Sequence, residues 1–265
     1  MAELADFETL RNLAARGHFM SFDHIREFDK LNSDRAEFLK LLATEDVYRR
    51  TFEFDGKDLL DDFWTFDRDT TATSFALPST KLLGGAISGN TGATDNGAIS
   101  MRGPLIYKGD NYCGMHVHWK SDVVTNLQFE IGFIDAVTDA TLPVITDVDT
   151  PASGNGGADI AVVHMDTDQT LTTMALVADG STSGMACTKS NIATLAPTAA
   201  TYQCIRVQLY ANHVQVIIDN QRNYWKALRE NVEGGTLLMP WLFWRCRSAA
   251  AKAIDIDFVD VWGMR

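Results

Sequence analysis

The chain has 265 residues, 46% of them apolar, enough for one large domain plus an appendage or for two small domains. A formal charge of -12 argues against sequence-independent nucleic-acid binding, which needs clustered cations to displace counterions, and against attraction to an anionic membrane surface. No run reaches the roughly 18 apolar residues of a spanning helix, and the charged stretch 1–17 lacks an apolar signal core, so a soluble protein made in a reducing cytoplasm is expected.

The first fifty residues carry helical periodicity. Leu4, Phe7, Leu10, Leu13 and Ala14 recur at helical spacing, with Gly17 as a stop. Ser21 caps a second helix carrying Phe22, Ile25 and Phe28, and Ser33 a third carrying Ala36, Phe38, Leu39, Leu41 and Leu42. Thr44, with Glu45 and Asp46 behind it, starts a short fourth turn. Helices this short are marginal alone, so their stripes must bury against one another, the rest of the chain or another molecule. The chain divides into a helical arm, residues 1–50, and a β domain, residues 51–265.

Residues 51–74 form an acidic, aromatic junction. Phe52 and Phe54 resemble a first strand, and Phe63, Trp64 and Phe66 a plug at one end of the fold. The Gly-rich stretch 84–97 reads as a flexible loop. Strands are then predicted near 98–107, 111–120, 126–136, 158–165, 170–178, 203–211, 213–220, 237–246 and 253–262. Residues 205–218 alternate as a half-buried antiparallel hairpin: Ile205, Val207 and Leu209 share one face with Val214, Val216 and Ile218. In the last strand Ile254, Ile256 and Phe258 are expected on the buried side, opposite Asp255, Asp257 and Val259. The pattern predicts a mainly β chain, two antiparallel sheets packed face to face, with a closed barrel as the competing arrangement. The long connections 137–157 and 179–201, rich in Ser, Thr, Gly and Ala, are the expected places for partner binding.

Several stretches resemble the concanavalin A-like (laminin-G-like) jelly-roll domains of tailed-phage virion proteins. They are LLDDFW at 59–64, LQFEIGFIDA at 127–136, TDVDTPASGNGGADI at 146–160, TYQCIRVQLYANHVQVIIDNQ at 201–221 and CRSAAAKAIDIDFVDVW at 246–262. The resemblance spans most of residues 59–262 and omits 1–50. It implies a two-sheet jelly-roll sandwich and a non-enzymatic cement or decoration protein on the capsid exterior.

Candidate chemistry is sparse. Asp255-Ile256-Asp257-Phe258-Val259-Asp260 parallels the ExDxxE strand of jelly-roll glycosidases, with the shorter Asp at every acidic position. His116 and His118 share one strand face at a spacing that suits zinc or iron, given a third ligand from His164, Asp166 or Glu130. They also point outward by default if Cys113, Met115, Val117 and Trp119 are the buried alternation. Asp147, Asp149, Asp166 and Asp168 offer oxygen to calcium, without the DxDxDG loop of an EF-hand. Residues 84–97 lack the Lys of a phosphate cradle, and no GxSxG elbow occurs. The cysteines at 113, 187, 204 and 246 form no CxxC pair, which indicates neither a zinc knuckle nor a disulfide scaffold. Tyr224, Trp225, Trp241 and Trp244 are candidates for an aromatic sugar platform, although such alternation equally marks core.

The expectation is therefore a virion structural protein with no catalytic residues, cofactor or metal. Its partner is the major capsid protein, engaged through Phe7, Leu10, Leu13, Phe28, Phe38, Leu39 and Leu42. Lattice repetition supplies avidity, and a closed homo-oligomer such as a trimer suits the role. The alternative is a lectin-like carbohydrate-binding module of a virion or appendage, with a glycan as ligand.

Overall fold

A computed structural model describes residues 47–52, 54, 63–76, 85–108, 112–146, 154–168, 171–180, 188–191, 196–210, 213–219, 228–229, 232 and 235–264. Residues 1–46, with all seven predicted partner-binding side chains of the arm, lie outside that set. The strands in chain order are β1 (Val47–Phe52), β2 (Thr65–Arg68), β3 (Thr73–Ala76), β4 (Ile87–Asn90), β5 (Ala98–Arg102), β6 (Tyr107–Lys108), β7 (Gly114–Ser121), β8 (Leu127–Ile134), β9 (Asp159–Asp166), β10 (Leu171–Gly180), β11 (Thr188–Asn191), β12 (Gln203–Tyr210), β13 (His213–Ile218), β14 (Leu228–Arg229), β15 (Leu237–Cys246) and β16 (Ala253–Met264).

They form two sheets. The first runs β14-β13-β12-β7-β16-β4-β3, with β1 also on β16, and the second runs β11-β10-β9-β8-β15-β5-β2, with β6 also on β15. Adjacent strands with a defined register are antiparallel, and the β12/β13 hairpin has the predicted pairing, from Ile205↔Ile218 to Tyr210↔His213. The fold is the predicted sandwich.

Alternation places one face of each sheet in the common core. Met115, Val117 and Trp119 of β7, with Ile205, Val207 and Leu209 of β12, lie opposite Phe129, Ile131 and Phe133 of β8 and Trp244 of β15. The Trp119 ring spans the layers, 4.9 Å from Phe129 and 5.7 Å from Trp244 between centroids. Phe63 and Trp64 of the predicted plug pack together with Phe52 of β1 at 4.8–5.3 Å, and Phe54 beside them is buried. Phe66 instead sits in β2 against Phe75.

Two expectations about loops are corrected. The described part of 84–97 is no free linker: it holds β4 and a tight turn that closes on Cys246, whose Sγ lies 3.0–3.5 Å from the carbonyls of Gly92, Thr94 and Gly97. Glycine is required there, because Gly92 has φ +81° and a Cβ would press on the Thr71 and Ala72 backbone. Nor is all of 137–157 a free contact surface. Val144 and Ile145 are buried against the outer face of the second sheet, in a small second core with Ile134, Ile160, Val162, Trp241 and Phe243. Apolar side chains on that outer face need a cover, and the loop supplies it.

The β2–β3 connection steps from the edge of the second sheet to the edge of the first. Its turn is closed by Ala72 N–H donating to the Asp69 carbonyl at 3.1 Å.

Candidate functional site

The outer face of the first sheet brings together two motifs that are far apart in the chain. β7 pairs with β16, so the histidines of one lie beside the aspartates of the other. A β-bulge controls which residues point outward. Ile256 pairs with Trp119 and Phe258 with His118, leaving Asp257 as the extra residue. Past the bulge the alternation changes phase: Val259 and Val261 turn into the core, and Phe258 and Asp260 turn outward. The expected burial of Phe258 with Ile254 and Ile256 is therefore wrong. The sequence carried the signal, because an unbroken alternation would have pushed Asp260 into the apolar core.

The outward residues make a grid across three strands. Arg206, His116 and Asp260 form one row, Cys204, His118 and Phe258 the next. Beyond them Asp255 pairs with Lys120, whose ammonium lies 4.6 Å from the Tyr202 ring centre. The two ends differ in access. Arg206, Gln208 and Asp260 are buried, whereas His118, Lys120, Asp255, Asp257, Tyr202 and Phe258 remain partly open.

Each of the three β16 carboxylates on this face, Asp255, Asp257 and Asp260, has a cationic or imidazole partner. Asp260 accepts from Arg49 Nε at 2.9 Å and Nη2 at 2.6 Å, a bidentate pair, and from Thr51 Oγ1 at 2.9 Å. Asp257 Oδ2 is 2.6 Å from His118 Nδ1. Asp255 is 3.1 Å from Lys120 Nζ and accepts from the Ser88 hydroxyl. The rings are continuous as well: Tyr202 to His118 is 4.8 Å, His118 to Phe258 5.5 Å and Phe258 to His116 4.8 Å.

Burial, reinforced by the neighbouring Arg206, His118 and Arg49, pushes the His116 imidazole down to about 3, so it is neutral at neutral pH. Burial pushes the Cys204 thiol up to about 11, helped by Asp219 and Asp257, which removes it as a thiolate nucleophile. Burial also raises the Tyr202 phenol. Lys120 is drawn down by desolvation, but its hydrogen bonds to Asp255 and Tyr202 win and raise it.

The sequence-derived chemistry sorts accordingly. The three aspartates do share one face, as hydrolysis of a glycoside would ask, but a general acid needs a carboxyl that holds a proton. Both Asp260 oxygens are taken up by Arg49 and Thr51, so neither faces a substrate. His116 and His118 do share a strand face, yet Glu130, His164 and Asp166 sit on β8 and β9 of the other sheet. No cluster of three or more metal-ligating His, Cys, Asp or Glu is found among the described residues. Asp166 lies 3.2 Å from Arg247 Nε and Asp168 3.9 Å from Arg247 Nη2, while Asp147 and Asp149 lie outside the described residues. Trp241 and Trp244 are fully buried, so they form no sugar platform; Tyr224 and Trp225 lie outside the described residues. Sequence reading missed the open ring row of Tyr202, His118 and Phe258, although Tyr202 stands in phase with Cys204 and Arg206 on β12 and the bulge signal places Phe258.

No protein-family model and no curated protein matches the chain. Solved structures do. A protein of unknown function from Shewanella oneidensis MR-1 aligns at a TM-score of 0.56 and 13% identity, over 87% of this chain and 94% of its own. The Emp47p carbohydrate recognition domain aligns at 0.56 and 12%, over 84% and 97%. The catalytic domain of an endo-1,3-β-glucanase (laminarinase) from Thermotoga petrophila RKU-1 aligns at 0.51 and 12%, over 84% and 100%. At these identities the likeness establishes the fold alone: a two-sheet antiparallel jelly-roll sandwich.

Proposed function

We propose that this chain is a carbohydrate-binding, lectin-like module, and that its ligand surface is the open half of the first sheet's outer face. The observation that carries the reading is the ring row of Tyr202, His118 and Phe258 bordered by the Lys120–Asp255 and His118–Asp257 pairs. Pyranose rings present apolar C–H faces that pack on such rings, and their hydroxyls exchange hydrogen bonds with fixed carboxylates and ammonium groups. Because the cations of the open half stand beside carboxylates, the face suits a neutral sugar better than an anionic one. That the Emp47p domain of the same fold is a carbohydrate recognition domain supports the reading, as an analogy of fold.

The test is a glycan array followed by calorimetry on the whole chain, with Tyr202→Ala and Phe258→Ala. Binding to neutral glycans, weakened about tenfold or more by either change, is the expected result. Silence across the array, or affinity untouched by both variants, overturns it.

The virion setting is a second proposal and rests on the sequence resemblance alone. Deletion of residues 1–46, which spares β1 and Arg49, tests its arm: unchanged capsid occupancy by the remaining domain would refute the contact through Phe7, Leu10, Leu13, Phe28, Phe38, Leu39 and Leu42.

A further inference from the structure

On the opposite side of the sandwich, residues 135–146 and 154–158 form a strap over the outer face of β8, β9 and β15. Its hold on the sheet centres on one carboxyl group. Glu130 is fully buried; its Oε1 accepts the Ile145 N–H at 2.8 Å and its Oε2 the Val144 N–H at 2.9 Å and the Trp241 indole N–H at 2.8 Å. Two successive strap amides are thus clipped to one side chain. Across the β8–β9 ladder, register places His164 directly opposite Glu130, with Nδ1 3.8 Å from Oε1 and no exposure. The surroundings are apolar: Val144, Ile145, Val162, Trp241 and Phe243. Among the neighbouring charged groups, Arg245 on β15 is 2.8 Å from Gln128 Oε1, and Asp166 on β9 lies beside Arg247.

We propose that Glu130 and His164 share one proton as a net-neutral buried pair, and that this pair latches the strap to the second sheet.

The argument is one of charge. A buried ion in apolar surroundings costs several kcal/mol unless compensated. One proton on the pair satisfies that requirement whether it resides on the carboxyl or on the imidazole, and the two forms titrate as a unit. Burial pushes the Glu130 carboxyl up to about 7, against the pull of the Ile145 and Val144 amides, the indole and Arg245, so the closed pair keeps its proton to near neutrality.

Opening the strap hydrates both groups, which then titrate near their ordinary values, about 4.3 for the carboxyl and about 6.5 for the imidazole. Between those values the open pair also carries one proton. Opening then neither takes up nor releases a proton, and the latch is insensitive to pH across that interval. Below it, opening takes up a proton and grows easier, by up to about tenfold per pH unit. Removing either partner destroys the compensation. Without His164, opening ionises Glu130 and becomes easier as pH rises through the interval; without Glu130, opening charges His164 and becomes easier as pH falls.

Hydrogen exchange at the Val144 and Ile145 amides of the whole chain, corrected for chemical exchange, measures that opening directly. Between pH 5 and 6.5 the wild-type opening constant is expected to stay within about threefold. Glu130→Gln and His164→Gln are expected to slope in opposite directions, each approaching tenfold per unit. A tenfold-per-unit slope in the wild type, or variants that are both flat or slope the same way, overturns the proposal. Should either variant fail to fold, carboxyl and imidazole NMR shifts of the wild-type protein decide it. One step near neutrality with none between pH 5 and 6.5 supports the latch, and two separate steps within that range refute it.

Discussion

The two sheets turn similar faces inward and opposite ones outward. Outside the first sheet, charges stand in pairs and rings lie partly open to water; outside the second, Trp241 and Phe243 stack at 5.7 Å beneath a strap of the same chain. A sandwich needs only its two inner faces to fold, so a covered outer face adds stability and an open one is left for recognition. The difference teaches where to look for each kind of effect.

The largest expected contrast comes from removing a ring on each side. Trp241→Ala empties part of the strap core and takes a donor from Glu130, and should cost about 3–5 kcal/mol by chemical denaturation. If it costs no more than Tyr202→Ala, the comparison collapses. Next is Arg49→Ala, which leaves the buried Asp260 carboxylate without its guanidinium; about 2–3 kcal/mol is expected, tempered by the partial exposure of Arg49.

A pH effect follows. Folding holds His116 neutral down to about 3, whereas the unfolded imidazole titrates near 6.5. A depressed histidine stabilises fully above 6.5 and loses that contribution as pH falls toward 3. The sign is negative in acid, at most about 1.4 kcal/mol per unit. The stability of the wild type relative to His116→Gln should fall between pH 6.5 and 5.5; a constant difference would show that folding does not depress His116. Smallest is Tyr202→Ala itself, under about 1 kcal/mol in stability, with its main consequence in ligand affinity.

Much of this was legible in the residues. The hairpin at 205–218, eight of the nine predicted strands and the packing of Phe63 on Trp64 follow from alternation and aromatic content, because period two and burial are local properties; the ninth, 98–107, divides into β5 and β6. The outward direction of His116 and His118 was legible for the same reason. What was not read correctly depended on partners distant in the chain. That Trp241 stacks outside its sheet rather than between the sheets depends on Val144 and Ile145 arriving from a loop. That Asp260 meets Arg49 depends on a strand more than two hundred residues earlier. The short strand Ile87–Asn90 was hidden by its glycine-rich neighbourhood. The bulge at Asp257 is the exception: charge at 260 and β-branched residues at 259 and 261 encoded it in full view.

The short connection that steps between the sheets has a consequence for crowding. Exposed strand edges invite fusion with another molecule, and short edges resist it. Here β2 and β3, four residues each, end the two layers on the same flank, so neither offers a long open ladder for a neighbour to extend. Copies held shoulder to shoulder at high local density should stay separate particles on that flank.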